Sequence, residues 1–247
     1  MKHAPRPALM PHLHRPAAAA LLVVCATSCV NPRMHQWPGD PQPIPRSAVD
    51  LEVGQVMATG MVGVGFYDQV ERSGGTTPPL GPQPDSLQTQ LVLGGMYQET
   101  LGDGWLDWGL EGGGAWGYRT SNGLVDPGTG PVEVDVDLSL FDLHGGLFIS
   151  RGLGQRARLF AGAGPVAQFA NWWQEGDDAG TMTELDQHGS GVGLGYYARA
   201  GLDLQTSTDL LLGLSVRWLD SEVTLDDGLG TLEVRGLQVL LTFSRSY

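Results

Sequence analysis

From about residue 52 onward the hydropathy of the chain repeats every two residues, and that property restricts it to β-sheet. In 105–119, Leu106, Trp108, Leu110, Gly112, Gly114, Trp116 and Tyr118 fall on one face. Asp107, Gly109, Glu111, Gly113, Ala115, Gly117 and Arg119 fall on the other. A helix would scatter these charges around its circumference, whereas a strand gathers them on one side. The alternation recurs around 55–67, where Val56, Ala58, Val62, Val64 and Phe66 oppose Gln55, Thr59 and Tyr67. Around 87–98, Leu91, Leu93 and Tyr97 oppose Gln88, Gln90 and Gln98; in 191–205, Val192, Leu194, Tyr196 and Leu202 oppose Tyr197, Arg199 and Asp203. In 209–219, Leu210, Leu212, Leu214, Val216 and Trp218 oppose Ser215 and Arg217.

Three further strands are less regular. Residues 132–150 keep Val132, Val134, Val136, Leu138 and Leu140 on one face, then switch parity to Phe141, Leu143, Leu147 and Ile149. The switch predicts a β-bulge at Leu140-Phe141. Residues 156–171 set Arg156, Arg158 and Gln168 against Ala157, Leu159, Ala161, Ala163 and Phe169, interrupted by Pro165, and a last strand runs from about 232 to Tyr247. The total is eight. Short turns at 102–104, 151–154 and 206–208 alternate with longer polar loops near 68–86, 120–131, 173–190 and 220–231.

Short turns at one end, long loops at the other and about ten alternating residues per crossing are the layout of an antiparallel transmembrane β-barrel. Trp108 and Trp116 share a face eight residues apart, which at about 3.4 Å per residue and a 40° tilt separates them by roughly 21 Å of membrane normal. That matches two aromatic girdles. Phe66, Trp172 and Trp173 are expected to join the outer one, and Trp105, Phe243 and Tyr247 the periplasmic one.

The final segment, Leu237-Gln-Val-Leu-Leu-Thr-Phe-Ser-Arg-Ser-Tyr247, alternates and ends on an aromatic residue. Phe243 and Tyr247 there resemble the signal by which outer-membrane assembly machinery recognises its clients. Tyr247 replaces the commoner Phe, and the outward Arg245 is expected to snorkel to the head groups. The segment 51–247 thus resembles the eight-stranded OmpA/OmpX/OmpW-like barrels of Gram-negative outer membranes. The resemblance implies an all-β fold, a bacterial outer-membrane location, and outer-membrane lipid, lipopolysaccharide and the assembly machinery as partners. A soluble periplasmic barrel of lipocalin or avidin type also alternates, with its apolar face inward; the girdles and the terminal signal favour lipid outside.

The N-terminal region is read separately. Residues 1–28 combine Lys2, Arg6 and Arg15, an apolar run from Ala17 to Val24 and small residues before Cys29, the layout of a secretory signal. Ala26-Thr27-Ser28-Cys29 resembles a lipobox, with Ala26 where leucine is usual, which makes Cys29 the lipidation candidate; general signal peptidase cleavage at the same bond is the alternative. Residues 29–50 hold Pro32, Pro38, Pro41, Pro43 and Pro45 and are read as an extended tether. Lys+Arg 14 against Asp+Glu 27 gives a net charge of -13, and cleavage removes three bases and no acid. Phosphates repel such a chain, so nucleic acid is excluded as a partner.

The inward charges Asp107, Glu111, Arg119, Asp142, Arg156, Arg158, Arg199, Asp203 and Arg217 are expected to form a lumen network. Arg158 is expected to pair with Asp203, and Arg199 with Glu111 or Asp142. No cofactor, metal site or catalytic residue is expected: His35 lies in the tether, His144 belongs to a polar interior, and His188 sits among loop acids whose spacing matches no ligand motif. Three functions follow. The first is a non-enzymatic structural or surface-binding barrel acting through acidic extracellular loops, with its extracellular ligand unknown. The second is an OmpW-like small-molecule conduit, and the third a lipid-modifying enzyme built on Asp142 and His144.

Overall fold

The computed structural model describes residues 49, 51–74, 88–125, 132–154, 156–178, 183–184, 186–207 and 209–247. The signal, Cys29 and most of the tether lie outside the described residues. Nine strands occur among them: β1 (Val56–Ser73), β2 (Thr89–Gly102), β3 (Asp107–Val125), β4 (Val132–Leu153), β5 (Ala157–Asp178), β6 (Thr183–Glu184), β7 (Gln187–Gln205), β8 (Leu210–Leu225) and β9 (Gly230–Ser246). Eight of them form the wall. Each pairs antiparallel with its neighbours, and β1–β9 and β4–β5 pairings close the ring. The two-residue β6 is a small ribbon on the end of β5. Closure gives every wall strand a partner on both sides, the condition for placing sheet in hydrocarbon.

The predicted bulge at Leu140-Phe141 is absent. Register with β3 and β5 runs unbroken through both residues. Val134, Val136, Leu138 and Leu140 instead point into the lumen at no more than 2% exposure. The parity switch records a change of surroundings, not of backbone. Toward the loops the outward row of each wall strand passes from apolar to polar: Phe66 to Asp68, Leu91 to Thr89, Tyr118 to Thr120, Phe141 to Ser139, Phe169 to Asn171, Val192 to Ser190, Trp218 to Asp220 and Leu237 to Arg235. Beyond that line, toward the loops, the interior turns mainly apolar. Leu138, Trp172, Leu219, Leu232 and Val234 are among the residues packed there. Trp172 therefore leaves the expected outer girdle for this inner plug, while Trp173 stays outside, half exposed.

Register shifts do occur elsewhere, between Tyr67 and Gln69 on β1 and between Thr100 and Gly102 on β2. Pro165 sits in β5 opposite Tyr196 and faces outward, and the β4–β5 ladder lacks pairs at Gly145-Gly146 against Gly164-Pro165. Proline has no N–H to give there. Of the expected loops, 120–125 belongs to β3, and 220–225 and 230–231 belong to β8 and β9, which are joined through 226–229.

At the opposite end Val49, placed by the sequence in the tether, is fully buried against Met57 and Leu211. The following turn is tied to β2 by Gly54 N–H to the Thr100 carbonyl at 2.7 Å and Thr100 N–H to the Gln55 carbonyl at 3.0 Å. Both ends of the barrel carry apolar closures.

Candidate functional site

Between these closures the lumen holds three ion pairs stacked along its axis. Nearest the short turns, Arg158 of β5 and Asp203 of β7 stand directly opposite in register, with Arg158 Nη2 2.5 Å from Asp203 Oδ2. Thr242 Oγ1 donates to the other carboxylate oxygen at 3.3 Å. Gly213 gives Asp203 its space, since a Cβ there would collide with the carboxylate.

The middle pair crosses the barrel. Arg199 of β7 grips Glu111 of β3 with Nε at 3.0 Å and Nη2 at 2.5 Å. Tyr197 O–H donates to the same carboxylate at 2.7 Å and Gln98 Nε2 at 3.1 Å, so both oxygens are saturated. Gly162 on β5 faces them, because a Cβ would strike Glu111. The third pair joins Arg217 of β8 to Asp142 of β4 through two bonds of 2.7 and 3.0 Å. His144 Nδ1 lies 2.8 Å from Asp142, and Gln238 links Arg217 to the Tyr67 hydroxyl.

Aromatic rings separate the levels. Phe160 lies beneath both Arg158 and Arg199, at 5.6 and 4.7 Å. Tyr197 takes Arg217 at 5.3 Å and the edge of His144 at 4.9 Å. Arg199 and Arg217 are themselves cross-strand partners. Like charges side by side repel, so each reaches across the lumen to an acid, Glu111 or Asp142. Gln168 and Ser221, hydrogen-bonded to each other, lie among the side chains leading up to the apolar plug.

Of the residues singled out in the sequence, Glu111, Asp142, Arg158, Arg199, Asp203 and Arg217 come together here. Asp107 is half-buried and close enough to Arg158 to act on it electrostatically, whereas Arg119 and Arg156 are exposed, outside the network. Inward parity admits all nine; height along the strand separates them. Phe160, Tyr67, Tyr197, Gln98 and Gln238 were missed as members, although Tyr67, Tyr197 and Gln98 carry inward parity in the sequence pattern. His144 is 7% exposed in mid-lumen and bonded to Asp142, with no face toward lipid. Arg245 points outward over Tyr247 and pairs with Asp209 at 3.1 Å.

The loop end is acidic. Glu133, Asp135, Asp186, Glu222, Asp226, Asp227 and Glu233 are exposed there, with Arg119 and Arg235 the exposed arginines at that end among the described residues. Asp226 accepts the Ser190 N–H at 2.6 Å, and that bond holds its carboxyl below the usual carboxylate range. His188 packs on Trp173 at 5.8 Å. Among the described residues no cluster of three His, Cys, Asp or Glu side chains has metal-site geometry.

No protein-family model matches the sequence, and no curated protein matches it. Solved structures do. The outer membrane protein OprG from Pseudomonas aeruginosa is 12% identical, with a TM-score of 0.50 over 83% of this chain and 99% of that one. The attachment invasion locus protein Ail of Yersinia pestis is 15% identical, with a TM-score of 0.46 over 79% of this chain and 100% of that one. The fold is that of the eight-stranded outer-membrane β-barrels.

Proposed function

We propose that the protein is a non-enzymatic barrel of the bacterial outer membrane that conducts nothing and acts through its outer wall and its acidic, extracellular loop end. The outward apolar band is suited to lipid, and the short turns belong on the periplasmic side. N-terminal export through the signal, with Cys29 as lipidation candidate, is part of the same reading, as are envelope lipid, lipopolysaccharide and assembly through Phe243 and Tyr247.

The observation that carries the proposal is the filled lumen. Eight strands enclose just enough room for side chains, and here three ion pairs, their aromatic spacers and two apolar closures occupy it. Such a core serves stability and shape. Asp142 and His144 are engaged by Arg217 and Tyr197, which argues against a lipid-modifying reaction there. Planar-bilayer recording of the folded protein is the test: no steady conductance is expected. A steady ion current would overturn the closed-barrel reading and favour a conduit.

A further inference from the structure

The outer wall carries a groove of 460 Å³ where β4, β5 and β7 pass the apolar-to-polar line, roofed by the β8–β9 turn. Its size is within the roughly 300–1,000 Å³ of small-molecule sites. The half below the line is apolar: Phe141 and Phe169, ring centroids 6.0 Å apart, and Val192. The half above is polar: Asn171, Ser190 and Asp226. Asp226 is pinned over the groove by the Ser190 N–H at 2.6 Å and the Ser190 hydroxyl at 3.1 Å. Its carboxylate is the sole charge among the lining residues.

A site half in hydrocarbon and half in the head-group layer suits an amphiphile oriented like the surrounding lipid. We propose that this groove seats one lipid whose head group bears a primary ammonium, with its chain along Phe141, Phe169 and Val192 and its ammonium on Asp226. The inference rests on the barrel standing in a membrane. Charge complementarity selects the head group. A carboxylate with no base among the lining residues, His188 standing near it but outside them, repels a bare phosphate and attracts a cation, and the ammonium N–H groups find acceptors on Asp226 and Asn171. A quaternary ammonium offers charge but no donors.

The test inserts the full chain into vesicles of equal parts phosphatidylethanolamine, phosphatidylcholine and phosphatidylglycerol, extracts it gently, and identifies retained lipid by native mass spectrometry. One retained phosphatidylethanolamine is expected, enriched about threefold over either competitor, the size of effect an exposed ion pair supplies. D226N keeps an acceptor for Ser190 yet should lose the enrichment, and N171W, which fills the groove, should lose the lipid. Retention of phosphatidylglycerol in equal amount, no retained lipid, or an unchanged preference in both variants would overturn the assignment. The heat-modifiable shift in gels is read in parallel. A shifted band without selective lipid sinks the groove proposal alone, whereas failure of the unmutated chain to insert sinks the barrel reading.

Discussion

Removing the guanidinium of Arg199 is the most direct test of whether the lumen is a dry core. In the native protein Glu111 is held by Arg199, Tyr197 and Gln98, and its side chain has no exposed surface. Arg199→Met leaves the carboxylate with two neutral donors and no counter-charge. Stripping one partner from a buried ion pair costs about 3–5 kcal/mol. With a urea dependence of roughly 2 kcal/mol per molar, the unfolding midpoint should fall by about 2 M. The double variant Glu111→Gln with Arg199→Met removes both charges, and replacing a buried pair by neutral groups is often nearly neutral. Its stability should return to within about 1 kcal/mol of the native value, so that the two substitutions are strongly coupled. Urea titration in detergent micelles, followed by tryptophan fluorescence and by the heat-modifiable band, measures all three. If Arg199→Met alone costs less than about 0.5 kcal/mol, the magnitude expected of a surface substitution, water reaches Glu111 and the packed-lumen argument fails.

Adjacent tryptophans should part company in the same titration. Trp172→Ala opens a cavity in the apolar plug and should cost about 3–5 kcal/mol, whereas Trp173→Ala on the outer wall should cost under about 1 kcal/mol; equal losses would contradict their placement. Acid should release the β8–β9 turn. The Asp226 carboxyl is lowered from its ordinary 3.8 by the Ser190 N–H, so its contribution is complete above about pH 4 and lost as pH falls through the lowered value. Hydrogen-exchange protection of the Ser190 amide, referenced to Asp226→Asn, should drop across that window in the native protein only, and protection that ignores pH would refute the contact.

Much of this was legible because a strand has a period of two and the lipid side demands apolar residues. The faces of β1, β2, β3, β7 and β8 follow from alternation, as do the short turns at one end, whereas the expected long last loop is a four-residue turn, 226–229, because β8 and β9 continue beyond the apolar band. Three readings failed where one face lies against apolar matter for a different reason. On β4, apolar residues change parity at Leu140-Phe141 because the outer solvent changes there, and a bulge is not needed. On β5, Trp172 and Trp173 are consecutive, so they face opposite sides of the wall and cannot both join a girdle. Val49 stands too close to a proline-rich run to look like a packed residue, yet it closes the turn end of the barrel. The ion pairs were partly legible: register sets Arg158 against Asp203, but whether Arg199 meets Glu111 or Asp142 depends on reach across the lumen, which periodicity does not encode.

The parity switch on β4 also measures how far the barrel stands out of the membrane. A crossing takes about 9–11 residues, and β4 has 22. The segment from Phe141 to Leu153 carries the outward Phe141, Leu143, Leu147 and Ile149, and it suffices to cross. Val132 to Leu140 remains. Outward it shows Glu133, Asp135 and Asp137, and inward a continuous aliphatic row, the polarity of a soluble barrel. At about 3.4 Å per residue and a 40° tilt this part rises roughly 20 Å beyond the hydrocarbon. The plug is what keeps such a rise folded, because water surrounds the wall there and the hydrophobic driving force has to act from inside. A partner approaching from outside would therefore meet an acidic rim lifted clear of the lipid, while the apolar half of the groove, Phe141, Phe169 and Val192, faces the lipid side of the line.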